Sequence, residues 1–378
     1  MNPIHVLALD GGGMRGLYSA TVLSALAARF AEPKEANRLD IGKGFDLVVG
    51  TSTGAILAAA ISAGIPVKRI TRLYEEAGSQ IFRDPIPPYD ESLRFSERAR
   101  FWRWVIRHLG RPGNPNARLE SELRGIFGRL TFGQLYEQRG IGLCISATAF
   151  LQHKPRVFKT PHLEKKQRDN GVTLADACLA SSAAPIYLPL ASITADGLAG
   201  QVYADGGLWA NSPVLLGVIE GLSLSAPDQP IVVMSVGTCR PPTGFPLPAQ
   251  LDRGIVGWRG GVLPLELAMN AQGRAAQYAA VLLAEQLERL GKRVHILRCE
   301  ESMPSAKQVD LLQLDSASNE ACDLMKQLGN EDGHLTYRWC QLPGDHRGDL
   351  LTQIFERMPE IDHSDVNGKE GARNEGLR

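Results

Sequence analysis

The chain has 378 residues, enough for one large α/β domain or two smaller ones. Hydrophobic residues make up 44% and charged residues 22%, a globular balance that excludes wholesale disorder. Lys+Arg and Asp+Glu are 41 each, so no overall field draws the protein to a nucleic-acid polymer or an anionic surface, and any such attraction is local.

In chain order, Ile4–Leu9 is a short apolar run predicted to form a buried strand that feeds the turn Asp10-Gly11-Gly12-Gly13. Leu17–Phe30 has helical spacing. Phe45–Val49 is a second strand candidate, and the Ala-rich stretch Ala55–Ala63 is a helix stopped by Gly64 and Pro66. Further strands are expected at Gly142–Ala149, Val202–Ala204, Ile231–Val236 and Val294–Cys299. Further helices are expected at Leu174–Ser181, Pro213–Leu222 and Leu265–Leu290. Strands alternating with helices predict a mainly parallel sheet covered on both faces. Asp84–Asp90 reads as a proline-rich loop, and Pro359–Arg378 as a polar tail. The start has no signal-peptide pattern, and no run of 18 apolar residues predicts a transmembrane helix. Six widely spaced cysteines without a CxxC pair predict reduced thiols, a cytoplasmic protein and no zinc site.

Three clusters carry chemistry. Gly50-Thr51-Ser52-Thr53-Gly54 fits G-x-S-x-G between a strand and a helix, where a sharp turn lifts the serine hydroxyl and the helix N-terminus favours a developing anion. Asp10-Gly11-Gly12-Gly13-Met14-Arg15-Gly16 also lies at a strand-to-helix junction. Its successive bare N–H groups form a nest for an oxyanion or a phosphate, and Arg15 either adds a charged donor or holds the loop. Gly11-x-Gly13-x-x-Gly16 also matches a dinucleotide fingerprint, but the next strand candidate ends in valine and runs into the serine turn instead of ending in an acid. Asp205-Gly206-Gly207 supplies a carboxylate at a strand end. A serine nucleophile needs a base. His295, inside the strand candidate Val294–Cys299, is the histidine offered as a base, and a strand-interior histidine more often packs than catalyses, which favours a Ser–Asp pair over a Ser–His–Asp esterase. A catalytically idle nucleotide-binding module using the glycine nest is the alternative from another class.

Asp10–Gly16 as D-G-G-G-x-R-G, Gly50–Gly54 as G-T-S-T-G, Ala180–Pro185 as A-S-S-A-A-P and Asp205–Gly207 as D-G-G resemble, in order, the four signatures of patatin-like phospholipases. The resemblance implies a three-layer α/β/α fold with a mainly parallel central sheet over residues 1–355, followed by a tail at 356–378. It implies acyl-ester hydrolysis with Ser52 as nucleophile, Asp205 as base, and Gly11, Gly12, Gly13 and Arg15 as the oxyanion-hole segment. No cofactor or metal is implied.

An insertion at about 84–130 is rich in arginine and aromatics. Residues 92–129 hold nine Arg against three Glu, a local net of +6. Three readings stand: solvated helices whose aromatics pack inward, an amphipathic surface for anionic lipid, or a pocket for a phosphorylated regulator. In overall length and motif style the chain is similar to bacterial phospholipase effectors switched on by cyclic nucleotides in antiphage defence. That implies a phospholipid membrane surface as substrate, a cyclic dinucleotide activator, peripheral action at the inner membrane, and a homo-oligomer. On Leu265–Leu290, the amides Asn270, Gln272 and Gln277 with Tyr278 either pack or face a ligand or partner.

Overall fold

A computed structural model describes residues 1–34, 38–87, 94–163, 167–194, 200–239, 254–255 and 257–361. Among these, eight strands form one sheet: β1 Ile4–Leu9, β2 Leu47–Thr51, β3 Gly142–Ala149, β4 Lys154–Lys159, β5 Ala191–Ile193, β6 Gln201–Asp205, β7 Ile231–Val236 and β8 Val294–Arg298. Their order is β5-β6-β3-β2-β1-β7-β8, with β4 on β3. The run β3-β2-β1-β7-β8 is parallel, and β4, β5 and β6 join antiparallel.

Side-chain alternation along β1 divides the core in two. Leu7 and Leu9 pack with helices Gly16–Ala31 and Thr53–Ser62 on one face. Val6 and Ala8 pack with helix Val214–Leu224 and the Ala280 and Ala284 side of helix Val262–Arg289 on the other. The result is the expected three-layer α/β/α arrangement. Every residue of Thr53–Ser62 is buried, which is why this segment is almost wholly Ala, Ile, Leu and Gly. Truncating its fully buried Leu57 to alanine costs roughly 2–5 kcal/mol.

The register on β3 explains how distant loops converge. Ser146 pairs with Thr51 of β2 on one edge and Val157 of β4 on the other. Ala147 pairs with Asp205 of β6 and Arg156 of β4. Because β4 holds one edge at both positions, β6 takes over the edge that β2 leaves at Ser146. The end of β2 and the end of β6 therefore abut.

Two strands lie outside the expectations, and one boundary moves. β4 was not predicted because its inward residue Arg156 is charged; it is buried against Asp169, so apolar alternation is hidden. β5 is only three residues long. The arginine-rich segment forms two helices, Phe95–Arg107 and Ala117–Phe127; residues 88–93, including part of the expected proline-rich loop, lie outside the described residues. The expected tail begins later than 356. Arg357 pairs with Asp46 at 2.8 Å, Met358 is buried, and the Ile361 N–H donates to the Arg38 carbonyl at 2.9 Å. Residues 362–378 lie outside the described residues. None of the six cysteines is bridged, and five are buried. Among the described residues no helix is long and apolar enough to cross a membrane.

Candidate active site

Ser52 stands between β2 and helix Thr53–Ser62 with φ 54° and ψ −125°, a left-handed conformation that a non-glycine residue adopts at a cost of about 1–3 kcal/mol. The surroundings hold it there. Its N–H donates to Ser181 Oγ at 2.8 Å, and its carbonyl accepts from the Ala55 N–H at 2.9 Å. Thr51 bonds Ser146 Oγ at 2.6 Å and the Ala210 carbonyl, fixing the strand end. Gly54 is needed for close approach: a Cβ there would lie 2.3 Å from the Leu9 carbonyl oxygen.

The Ser52 hydroxyl donates to Asp205 Oδ2 at 2.8 Å across 153 positions of sequence. Asp205 Oδ1 accepts the Gly207 N–H at 2.6 Å. Both residues are buried, Asp205 completely. Burial pushes the Asp205 carboxyl up to about 7, while the Gly207 N–H and the Ser52 hydroxyl pull it down. The carboxyl is thus poised to take and return a proton near neutrality.

The glycine loop approaches from β1. Gly13 has φ 60°, and among the described residues the Gly12 and Gly13 N–H groups have no hydrogen-bond partner. The Gly11 N–H is different from its expected role: it donates to the Asn211 carbonyl at 2.9 Å and is committed. What Gly11 supplies is space, since a Cβ there would lie 2.6 Å from Asn211 Oδ1 and 3.2 Å from the Ser52 Cβ. Arg15 is buried, and its Nε donates to the Gly12 carbonyl at 3.2 Å. Of the two roles open to it, this contact is the one that braces the loop. An apolar cavity of about 30 Å³ opens beside Ser52, walled by Ile56, Leu73, Ile81, Phe82, Leu119 and Leu314. It suits the end of a hydrocarbon chain.

Several supporting residues were missed. Ser181 and Ala183 belong to the A-S-S-A-A-P motif, which carried no assigned task. Ser181 accepts the Ser52 N–H, its carbonyl accepts the Gly206 N–H at 3.2 Å, and the Ala183 carbonyl accepts the Asp205 N–H at 2.9 Å. One segment therefore ties Ser52 to Asp205. Asp10 is fully buried, accepts from Ser212 Oγ at 2.7 Å, and pairs with Arg298 Nη1 at 2.9 Å. Gln272 Oε1 accepts the Asn211 N–H at 2.8 Å, and Gln277 sits among Asp10, Ser212 and Arg298. These two amides thus face the loops of the site. Their helical spacing marked one face, but no sequence signal named its target.

His295 lies on β8, three strands from β2, or about 14 Å at normal strand spacing. Its ring packs on His346 at 5.1 Å, so it does not serve Ser52. Cys144, His162 and Glu220 bring ligand-type atoms within 4.8 Å of one another, a grouping that sequence spacing hid. Glu220 is there ion-paired with Lys159, and this buried cluster braces β3, β4 and helix Val214–Leu224.

A family model described as Patatin, patatin-like phospholipase, matches residues 7–217. A cGAMP-activated phospholipase of Pseudomonas aeruginosa is 32% identical over 328 residues, covering 86% of each chain. A cGAMP-activated phospholipase of Vibrio cholerae is 31% identical over 63% of this chain and 64% of its own length. A cUMP-AMP-activated phospholipase of Escherichia coli is 31% identical over 62% of this chain and 65% of its own length. The matched region contains the serine elbow, the glycine loop, the bridging A-S-S-A-A-P segment and the Asp205 turn, and the chain belongs to the patatin-like phospholipase family.

Proposed function

We propose that this chain hydrolyses the carboxylic esters of phospholipids at a membrane surface through a Ser52–Asp205 dyad. The observation that carries this reading is the 2.8 Å bond from Ser52 Oγ to a fully buried carboxylate beside a cavity lined with apolar side chains.

Asp205 accepts the hydroxyl proton as Ser52 Oγ attacks the ester carbonyl carbon. The carbonyl oxygen becomes an anion facing Gly12 and Gly13, whose N–H groups and helix-end position would stabilise it, one well-placed donor being worth about 3–4 kcal/mol. The intermediate collapses, the ester C–O bond breaks, and the lyso-lipid alkoxide leaves with the proton from Asp205. Water then gives its proton to Asp205 and attacks the acyl-enzyme. Collapse returns the proton to Ser52 and frees the fatty acid. Asp205 is both base and acid, which matches a carboxyl lifted to about 7. The residues supply nucleophile, base and anion stabilisation by themselves.

Activation by a cyclic dinucleotide is the second half of the proposal. It is supported by the relatives named as cGAMP-activated and cUMP-AMP-activated phospholipases. The test is lipid-product mass spectrometry on wild type and Ser52→Ala, with and without cyclic dinucleotides. Fatty acid and lyso-lipid from the wild type alone, increased by nucleotide, is the expected result. Equal release from Ser52→Ala overturns the dyad, and equal wild-type rates with and without nucleotide overturn the switch.

A further inference from the structure

We infer that the outer face of helix Phe95–Arg107, continued by Leu109 and by the segment carrying Ile255 and Trp258, is a docking surface for an anionic lipid bilayer. This rests on the phospholipid reading above and names the surface and the charge of lipid it engages.

The helix has two unlike faces. Phe101 and Trp104 are buried, and the Trp104 Nε1–H donates to the Asp84 carbonyl at 3.0 Å. On the opposite side Phe95 is 86%, Ile106 67% and Leu109 78% exposed. An interval of 11 residues keeps Phe95 and Ile106 on one stripe at 100° per residue, and Leu109 follows in the turn beyond the helix end. Three large apolar side chains in water along this helix and the turn that ends it mark a surface that meets an apolar partner.

Charge says which partner. Among the described residues the Arg100, Arg103 and Arg111 side chains make no hydrogen bond or ion pair, although nearby Arg107, Arg118 and Arg124 are paired with Asp84, Glu122 and Glu120. Glu97, the acid of this helix, is turned to the Arg94 N–H at 3.0 Å. A chain with zero net charge therefore leaves these three cations unmatched beside its exposed apolar side chains. Apolar side chains entering the acyl boundary, with guanidinium groups at the level of lipid phosphates, is the pattern of a helix lying in an anionic interface.

Position completes the case. The Gly113 and Asn114 N–H groups donate to the Ile186 and Tyr187 carbonyls at 2.8 and 3.0 Å. Those residues lie between Ala184 and Leu188, which line the cavity beside Ser52. Ile255 is 80% exposed and Trp258 is partly so, on a segment whose Gly260 faces Val105 of the same helix. The segment that follows the helix is thus hydrogen-bonded to the stretch that walls the cavity beside Ser52, which places the docking face on the same side of the chain as that wall.

The experiment uses full-length Ser52→Ala protein, so that binding is read without hydrolysis. It is sedimented with vesicles of equal parts phosphatidylglycerol and phosphatidylcholine, and with phosphatidylcholine alone. Binding to the anionic vesicles only is expected. Adding Phe95→Ser, Ile106→Ser and Leu109→Ser should weaken it by about tenfold or more, and adding Arg100→Gln, Arg103→Gln and Arg111→Gln should remove the preference for anionic lipid. On a Ser52 background, both triple variants should keep wild-type hydrolysis of a short water-soluble ester, measured with activating nucleotide present. Failure of wild type on that ester sinks the hydrolase reading and leaves the vesicle result standing. Equal binding to both vesicles, unchanged binding by the triple variants, or a dimer that the serine variants dissolve overturns the docking surface.

Discussion

Arg298 Nη1 reaches Asp10 Oδ2 at 2.9 Å, joining the end of β8 to the first residue after β1 across 288 positions of sequence. Asp10 heads the glycine loop, and its other oxygen holds Ser212, just beyond the Asp205 turn. The pair is thus a keystone between the glycine loop and the Asp205 turn. Arg298→Met leaves a fully buried carboxylate without its guanidinium, and stability should fall by about 3 kcal/mol. Because both loops shift, kcat should fall more than KM rises. Asp10→Asn combined with Arg298→Met should regain most of the stability. Chemical denaturation of wild type and both variants with steady-state kinetics on a soluble ester checks this; an Arg298→Met protein as stable as wild type defeats it.

Ser181 holds the strained Ser52 elbow by accepting its N–H at 2.8 Å. Ser181→Ala leaves that buried N–H without an acceptor, a loss of about 1–3 kcal/mol. Relaxation of the elbow would also carry Ser52 Oγ away from Asp205 Oδ2. The expected outcome is kcat lowered by about tenfold or more with a nearly unchanged KM, because a small misplacement of a nucleophile is felt in the chemical step. Ser181→Thr, which keeps the hydroxyl, should recover part of the rate. Equal loss in both variants would point to packing instead of the hydrogen bond.

Much of this site was legible, and the limits are physical. Ser52 announces itself because its tight turn demands a glycine two positions away on either side, and Asp205 because two glycines follow it; such turns leave a local trace. Their meeting does not, since it depends on β3 pairing first with β2 and then with β6 along one edge. The strands β1, β2, β3, β7 and β8 are mostly apolar and easy to read. β4 is not, because its buried Arg156 is neutralised by Asp169, a residue of the following loop. Arg298 and Gln272 look like ordinary polar residues on a strand and a helix. Only the assembled fold aims them at Asp10 and Asn211. The glycine loop gave a donor set of three, but the Gly11 N–H is spent on the Asn211 carbonyl, a contact between segments no motif connects.

Leu119 lies on helix Ala117–Phe127 and forms part of the wall of the cavity beside Ser52. Filling that cavity should discriminate by chain length. Leu119→Trp should raise KM for a long-chain nitrophenyl ester by about tenfold while leaving the acetyl ester within about twofold, with a stability cost of about 1–3 kcal/mol from overpacking. Rates measured along a series of acyl lengths check this. A uniform loss at every length would place the acyl chain elsewhere.

Asp205 predicts opposite pH trends for rate and stability. Its carboxyl is lifted from the ordinary 3.8 to about 7 by complete burial. The attack on ester needs the ionised form, so kcat/KM should rise about tenfold per pH unit below 7 and level off above it. Stability runs the other way. Between about pH 4 and 7 the folded state holds a proton that the unfolded state has released, so each rise in pH across that window removes stability through this group. Above 7 the folded chain carries a buried carboxylate eased by the Gly207 N–H and the Ser52 hydroxyl. Asp205→Asn keeps an acceptor for Gly207 but never bears that charge. At pH 8 it should abolish hydrolysis and yet unfold at higher denaturant than wild type, by roughly 1–3 kcal/mol, with the difference shrinking towards pH 4. Ser52→Ala should be equally inactive but keep the pH-dependent stability of the wild type. An Asp205→Asn protein whose stability tracks wild type across the whole range would mean that the carboxyl is not lifted, and that its service as a base near neutrality needs another explanation.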